Sequence, residues 1–167
     1  MVDQVFTKYT ARGYEGDLVD SGDSVRQTGV LLTGTLGFGK AVQASGTGQG
    51  IAVGSAEIAA SSTTNVWGIS LREYNHEAGT RPSTGTDFLY RANESVSVLR
   101  QGFVYLRLTG ATAIAREESV HVNEATGLFH KTAVAAGNSA CLNVYAVQPA
   151  IANGIFKARI DINRLVS

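Results

Sequence analysis

The stretch Phe156-Lys-Ala-Arg-Ile-Asp-Ile-Asn163 alternates apolar and polar residues with period two. That is the period of a β-strand, whose successive side chains point to opposite faces. Phe156, Ala158, Ile160 and Ile162 should face a core, and Lys157, Arg159 and Asp161 should face water or a neighbouring subunit. A half-solvated strand of this kind suits an antiparallel sheet. The signal extends outward from here. Val30-Leu-Leu32, Phe38 to Val42, Ile51-Ala-Val53 and Val66-Trp-Gly-Ile-Ser-Leu71 are short apolar runs cut by glycine, rich in β-branched and aromatic residues and too short for helices. Ser95-Val-Ser-Val-Leu99 and Phe103-Val-Tyr-Leu-Arg-Leu108 flank Arg100-Gln-Gly102, a spacing that predicts a hairpin with Val104, Leu106 and Leu108 on one face.

The composition agrees with this pattern. Nineteen glycines against two prolines point to many tight turns, and 167 residues suffice for one core. The fold class is all-β and antiparallel, with at most one or two short helices. Ala111 to Glu118 and Glu57 to Ser61 are the two helix candidates. Residues 73–87 are polar and rich in turn formers, which predicts a long exposed loop.

Residues 1–27 differ from the rest, with charged and polar residues between Gly13, Gly16 and Gly22 and few apolar ones. Such a stretch buries too little apolar surface to offset its ordering entropy alone. The expected division is an extended N-terminal arm over 1–27 and one β domain over 28–167. The arm would become ordered on a partner, with Tyr9, Arg12, Tyr14, Glu15, Leu18 and Arg26 as its candidate contacts.

Charge narrows the partner. Fourteen basic residues balance fourteen acidic ones, leaving no overall field to attract nucleic acid or anionic lipid. Charged residues make up only 17% of the chain, below the roughly 25% of an ordinary soluble domain. Ten arginines against four lysines favour protein contacts. No run of about eighteen apolar residues offers a membrane span. The opening Met1-Val-Asp-Gln-Val-Phe-Thr-Lys8 lacks the basic and apolar regions of a cleaved signal, so synthesis in a reducing cytosol is expected.

The chemistry-bearing motifs each fall short. Gly34-Thr-Leu-Gly-Phe-Gly-Lys40 matches a phosphate loop up to its last position, where Ala41 replaces the required hydroxyl residue. The glycines after it oppose the helix such a loop needs, so a glycine-kinked strand and turn is expected instead. His121 and His130 could face each other across the turn Asn123-Glu-Ala-Thr-Gly127, as a weak metal site or as a plain cross-strand pair, and the plain pair is the expected one. His76 lies in the polar loop. Glu117 and Glu118 are adjacent and point to different faces. Cys141, the one cysteine, sits in an apolar run and should be buried and inert. No catalytic residue, metal or cofactor is expected. A hydrolase using His121 with Glu124 is the enzymatic rival, and a glycan- or receptor-binding module using Tyr74 and Arg81 is the binding rival.

Six features occur in a distinctive order: Gly13-Tyr-Glu-Gly16; Leu36-Gly-Phe-Gly-Lys-Ala-Val42; Trp67-Gly-Ile-Ser70; Ser95-Val-Ser-Val-Leu-Arg-Gln-Gly102; Ser119-Val-His-Val122 ahead of Ala125-Thr-Gly127; and Gly154-Ile-Phe-Lys-Ala-Arg-Ile160. Together, over about residues 13–160, they resemble the head cement, or capsid decoration, proteins of tailed bacteriophages. Arg116-Glu-Glu-Ser119 stands where that family often has Gly-Asp-Pro. The resemblance implies a β-barrel or β-tulip domain on the outer surface of the virion capsid. There it would bind major capsid protein subunits and self-associate as a homotrimer, with a homodimer as the alternative.

Overall fold

A computed structural model describes residues 13–19, 23–44, 50–53, 63–64, 66–73, 89–123, 125–131 and 138–161. Among the described residues twelve strands follow one another: β1 (Val25–Leu31), β2 (Thr35–Gly37), β3 (Ala41–Ala44), β4 (Gly50–Val53), β5 (Thr63–Thr64), β6 (Gly68–Ser70), β7 (Leu89–Arg91), β8 (Ser95–Thr109), β9 (Ser119–Asn123), β10 (Phe129–His130), β11 (Asn138–Ala146) and β12 (Ile155–Ile160). No described residue is helical. The all-β expectation holds.

One strand organises the rest. β8 is 15 residues long, and its two halves have different neighbours. Its C-terminal half pairs with β12, and the order β8-β10-β9-β11-β12 returns to β8 as a closed five-stranded barrel. Its N-terminal half pairs with β1 and β6, and β1-β4-β3-β6 forms a second circuit of pairings through the same strand. The ladders are mixed. Most are antiparallel, but β1–β4, β8–β10 and β5–β11 run parallel.

β12 has the burial its sequence predicts, with Phe156, Ala158 and Ile160 inside and Lys157 and Arg159 partly exposed. Ile162 lies outside the described residues. Val104, Leu106 and Leu108 are fully buried on one face of β8 and share the barrel core with Val120, Val122, Phe129, Cys141 and Val144. A second cluster of Leu31, Leu36, Phe38, Val42, Tyr90, Val96 and Val98 fills the other half. There Phe38 and Tyr90 meet edge to face with centroids 5.3 Å apart. The Tyr90 hydroxyl donates to the Leu71 carbonyl at 2.7 Å.

Two expectations are overturned. The predicted hairpin at Arg100-Gln-Gly102 is absent, because these residues continue β8. Gly102 serves a close approach rather than a reversal: a Cβ there would lie 3.2 Å from Cα and Cβ of Ser24. Glycine inside a strand often marks a bulge or a close approach of another backbone. Nor is Ala111–Glu118 a helix. Ile114 and Ala150 exchange both main-chain hydrogen bonds, at 2.9 and 3.0 Å, so tertiary pairing overrides the local propensity of the Ala- and Glu-rich stretch. The turn after it places Glu117 at φ 64°, and the Glu118 carboxylate accepts from the Ala115 N–H at 2.8 Å. This is how Arg116-Glu-Glu-Ser119 turns the chain without proline. Residues 57–61, the second helix candidate, lie outside the described residues.

Candidate functional site

One described part of the N-terminal segment, Gly13–Val19, lies along β8, joined to it by an isolated antiparallel bridge between Leu18 and Val104. Gly16 N–H donates to the Tyr105 carbonyl at 2.8 Å, Tyr105 N–H to Asp17 at 3.0 Å, and Val19 N–H to Phe103 at 3.1 Å. Leu18 pairs with Val104 and packs against the barrel core. Ionic contacts secure the same segment. The Lys40 ammonium donates to Glu15 at 2.6 Å, Arg107 Nε stands 3.3 Å from the other oxygen of that carboxylate, and Arg72 lies 3.8 Å from Asp17. The Arg72 guanidinium also sits 4.6 Å from the centroid of the Tyr14 ring, a favourable cation–π separation.

This arrangement explains the order of motifs along the chain. Gly16 at φ 83° and Gly39 at φ 65° lie back to back. A Cβ on Gly16 would come within 2.8 Å of the Gly39 nitrogen, and one on Gly39 within 2.9 Å of the Gly16 nitrogen. Beside them the buried Ser70 hydroxyl accepts from Lys40 N–H at 3.0 Å and donates to the Gly37 carbonyl at 2.8 Å. Ala41 N–H donates to the Gly127 carbonyl at 2.9 Å. Thus the glycine stretches around residues 16, 39 and 127 and the Gly-Ile-Ser strand meet in one place, where backbones approach more closely than side chains would allow. The phosphate-loop look-alike is the expected strand and turn, with the Lys40 ammonium engaged by Glu15.

Of the candidate contacts, Tyr14, Glu15 and Leu18 are brought together on β8. Tyr14 is 65% exposed, whereas Glu15 is held by two cations and Leu18 by the core. Arg26 lies apart from them, exposed on β1 opposite Leu99. Tyr9 and Arg12 lie outside the described residues, as do Tyr74, His76, Arg81 and Glu124. The boundary after residue 27 falls inside β1, whose residues 25–30 pair with β8.

Among the described residues, the groups weighed for chemistry are occupied or buried. Cys141 is buried, and burial pushes its thiol far above the ordinary range. His130 lies directly opposite His121 in the β9–β10 ladder, the expected cross-strand pair. Burial first, and the neighbouring His121 as well, hold its imidazole below its ordinary value. His121 Nδ1 bonds the Lys131 carbonyl at 2.7 Å. The Glu118 carboxyl is held low chiefly by its hydrogen bond from Lys131, which is 2.8 Å away at its nearer oxygen. Among the described residues, no group of three His, Cys, Asp or Glu side chains could hold a metal ion.

Sequence reasoning missed two surface features. Val25, Val30, Leu32, Leu89 and Ile151 are exposed apolar side chains. In Val30-Leu-Leu32 the period-two rule requires that Leu31 and its two neighbours face opposite ways, which was a signal for the first of them. The second feature is a cavity of about 400 Å³ lined by Asp23, Ser24, Val25, Gln101, Gly102, Phe103 and Arg159. Lys157 and Arg159 both lie over the Phe103 ring, at 4.7 and 5.5 Å from its centroid. Its lining comes from three separate segments, so no local pattern announces it.

No curated protein matches the chain. Among solved structures, a chain of "The capsid of Myoviridae Phage XM1" has the same fold, with a TM-score of 0.69 and 15% sequence identity over 96% of this chain and 98% of that one. The family model of the structural cement protein (E217 gp24/Pam3 gp6) matches residues 2–161. With that match over nearly its whole length, the chain belongs to the phage structural cement protein family.

Proposed function

We propose that this chain decorates the outer surface of a phage capsid and stabilises the shell by bridging major capsid protein subunits, without catalysis. The observation that carries this reading is the family match, which takes in the N-terminal segment together with the β body. The likeness of fold to a chain from a phage capsid structure supports it. A protein that binds only the assembled shell stabilises it by its own binding free energy, and many copies on one lattice add avidity to modest contacts. Self-association belongs to the same reading, as the trimer that the resemblance implies or as the alternative dimer.

Tyr9, Arg12, Tyr14, Glu15, Leu18 and Arg26 remain the proposed contact set, divided by role. Leu18 and Glu15 hold the segment on β8, Tyr14 is exposed there, and Tyr9 and Arg12, which precede it in sequence, are the proposed contacts with a capsid subunit. Deleting residues 1–12 therefore tests the arm more cleanly than deleting 1–27, which would also remove Leu18 and the start of β1. Full-length protein and the 13–167 form are mixed with purified undecorated heads and sedimented. The truncated form is expected to fold and to bind at least tenfold more weakly. Equal decoration by both forms would exclude the arm as the capsid contact, and no decoration by full-length protein would exclude the bridging role.

A further inference from the structure

Bridging, as proposed above, takes at least two contacts on this chain, and the N-terminal segment supplies one. The β body must supply another. One end of the barrel is closed by the β8–β9 connection (110–118) and the β11–β12 connection (147–154), every residue of which is described. Ile114 and Ala150 join the two connections and belong to the barrel core. Asn153 Oδ1 accepts from Gly110 N–H at 3.1 Å, Leu108 N–H donates to the Gly154 carbonyl at 2.9 Å, and Gly154 N–H donates to the Ile151 carbonyl at 2.9 Å. This network fixes Ile151 at the corner of a tight turn. There it is 77% exposed, the most of any large apolar side chain among the described residues. An apolar side chain held in water on a backbone already fixed does not pay for loop ordering when a partner covers it.

The surroundings of Ile151 have the anatomy of a contact surface, apolar at the centre and polar at the rim. Residues 108–115 and 146–156 contain no charged side chain, and Ala111, Thr112, Ala113 and Ala115 are exposed. The flanking charges are met within the chain: Arg107 by Glu15, Arg116 by Glu117 at 3.6 Å, and Lys157 by the Phe103 ring. A partner that covers this end therefore needs an uncharged apolar surface rather than an opposite charge. Glu117 points the same way on separate grounds. Its φ of 64° is a conformation that glycine adopts freely and a side chain does not. The bond from Glu117 N–H to the Ala146 carbonyl, at 2.7 Å, holds the turn. The Glu117 side chain is 76% exposed, and its ion pair is with Arg116, itself 71% exposed. Exposed pairs contribute little, so nothing within the chain offsets the strain, and strain kept on such terms clusters at functional surfaces. We infer that this barrel end is the second contact with the shell, with Ile151 entering an apolar pocket on a major capsid protein subunit and Glu117 at the rim. The inference rests on the bridging role proposed above.

Full-length wild type, Ile151→Asp and Glu117→Gly chains are each mixed with purified undecorated heads and sedimented. Ile151→Asp should bind about tenfold more weakly or worse. Its urea midpoint and light-scattering mass should match wild type, because the side chain it replaces already stands in water. Glu117→Gly relieves the strained turn, so it should raise the urea midpoint and yet weaken binding about threefold. A decorating wild type that Ile151→Asp matches overturns the inference and leaves the cement role standing. A Glu117→Gly chain that binds as tightly as wild type does the same. If Ile151→Asp lowers the mass of the free chain, the barrel end is a contact between copies instead, which also overturns the inference. A wild type that leaves the heads bare removes the cement role, and this contact with it.

Discussion

β12 and β1 are both antiparallel neighbours of β8, β12 in unbroken register over six residues and β1 over six with a shift between Val25 and Arg26, yet they end in opposite circumstances. β12 has β11 on its other edge and a core beneath it, so its side chains alternate between buried and partly exposed. β1 meets β4 only at its end, and its first four residues are exposed on both faces. Pairing to a common strand thus sets direction and register, but the second edge and the layer beneath decide whether a strand belongs to the core or to the surface. The barrel half of this cement protein is closed on itself. In the β1 half, no strand among the described residues pairs with the outer edge of β1, away from β8, over 25–29.

The sharpest way to break this contrast is to place the same charge in both strands. Ile160→Asp buries a carboxylate at a fully buried position and should destabilise by about 3–5 kcal/mol, read as a lowered urea midpoint. An unchanged midpoint would mean that β12 does not seal the barrel.

Acid should act next, and on the barrel half only. His130 pairs with His121 in the ladder that closes the barrel through β10, and its imidazole is held low in the folded state. The unfolded chain therefore takes up the proton first, as pH falls through the ordinary histidine value of about 6.5. Stability should be complete above that value, decline as pH falls toward the folded value, and level off below it. The urea midpoint of the wild type should be lower at pH 5.5 than at pH 7.5, and His130→Gln should flatten the difference. A midpoint equally pH-dependent in the variant would assign the effect elsewhere.

The smallest effect is expected in β1. Val25→Asp should change stability by no more than about 0.5 kcal/mol, because the side chain is already half in water. A loss comparable to that of Ile160→Asp would show that the start of β1 is covered within its own subunit.

Features that depend on neighbours along the chain were legible before folding. The period-two alternation of residues 156–160 and of Val104, Leu106 and Leu108 gave their faces correctly. The loop between His121 and His130 was short enough to place them opposite each other, and Ala41 after Gly39-Lys40 spoke against phosphate binding. Of the candidate contacts, the exposure of Tyr14 was legible as a polar, glycine-rich setting. The confinement of Glu15 and Leu18 was not, because Lys40, Arg107 and Val104 lie far along the chain.

Three features emerged only on folding: residues 95–109 form one strand, Ile114 pairs with Ala150 instead of starting a helix, and β1, among the described residues, has β4 on its outer edge only at Val30 and Leu31. The physical reason is common to all three. A glycine or a run of helix formers sets what the backbone can do locally, whereas strand pairing is settled by hydrogen bonds to partners tens of residues away. Those partners exist only once the chain has folded.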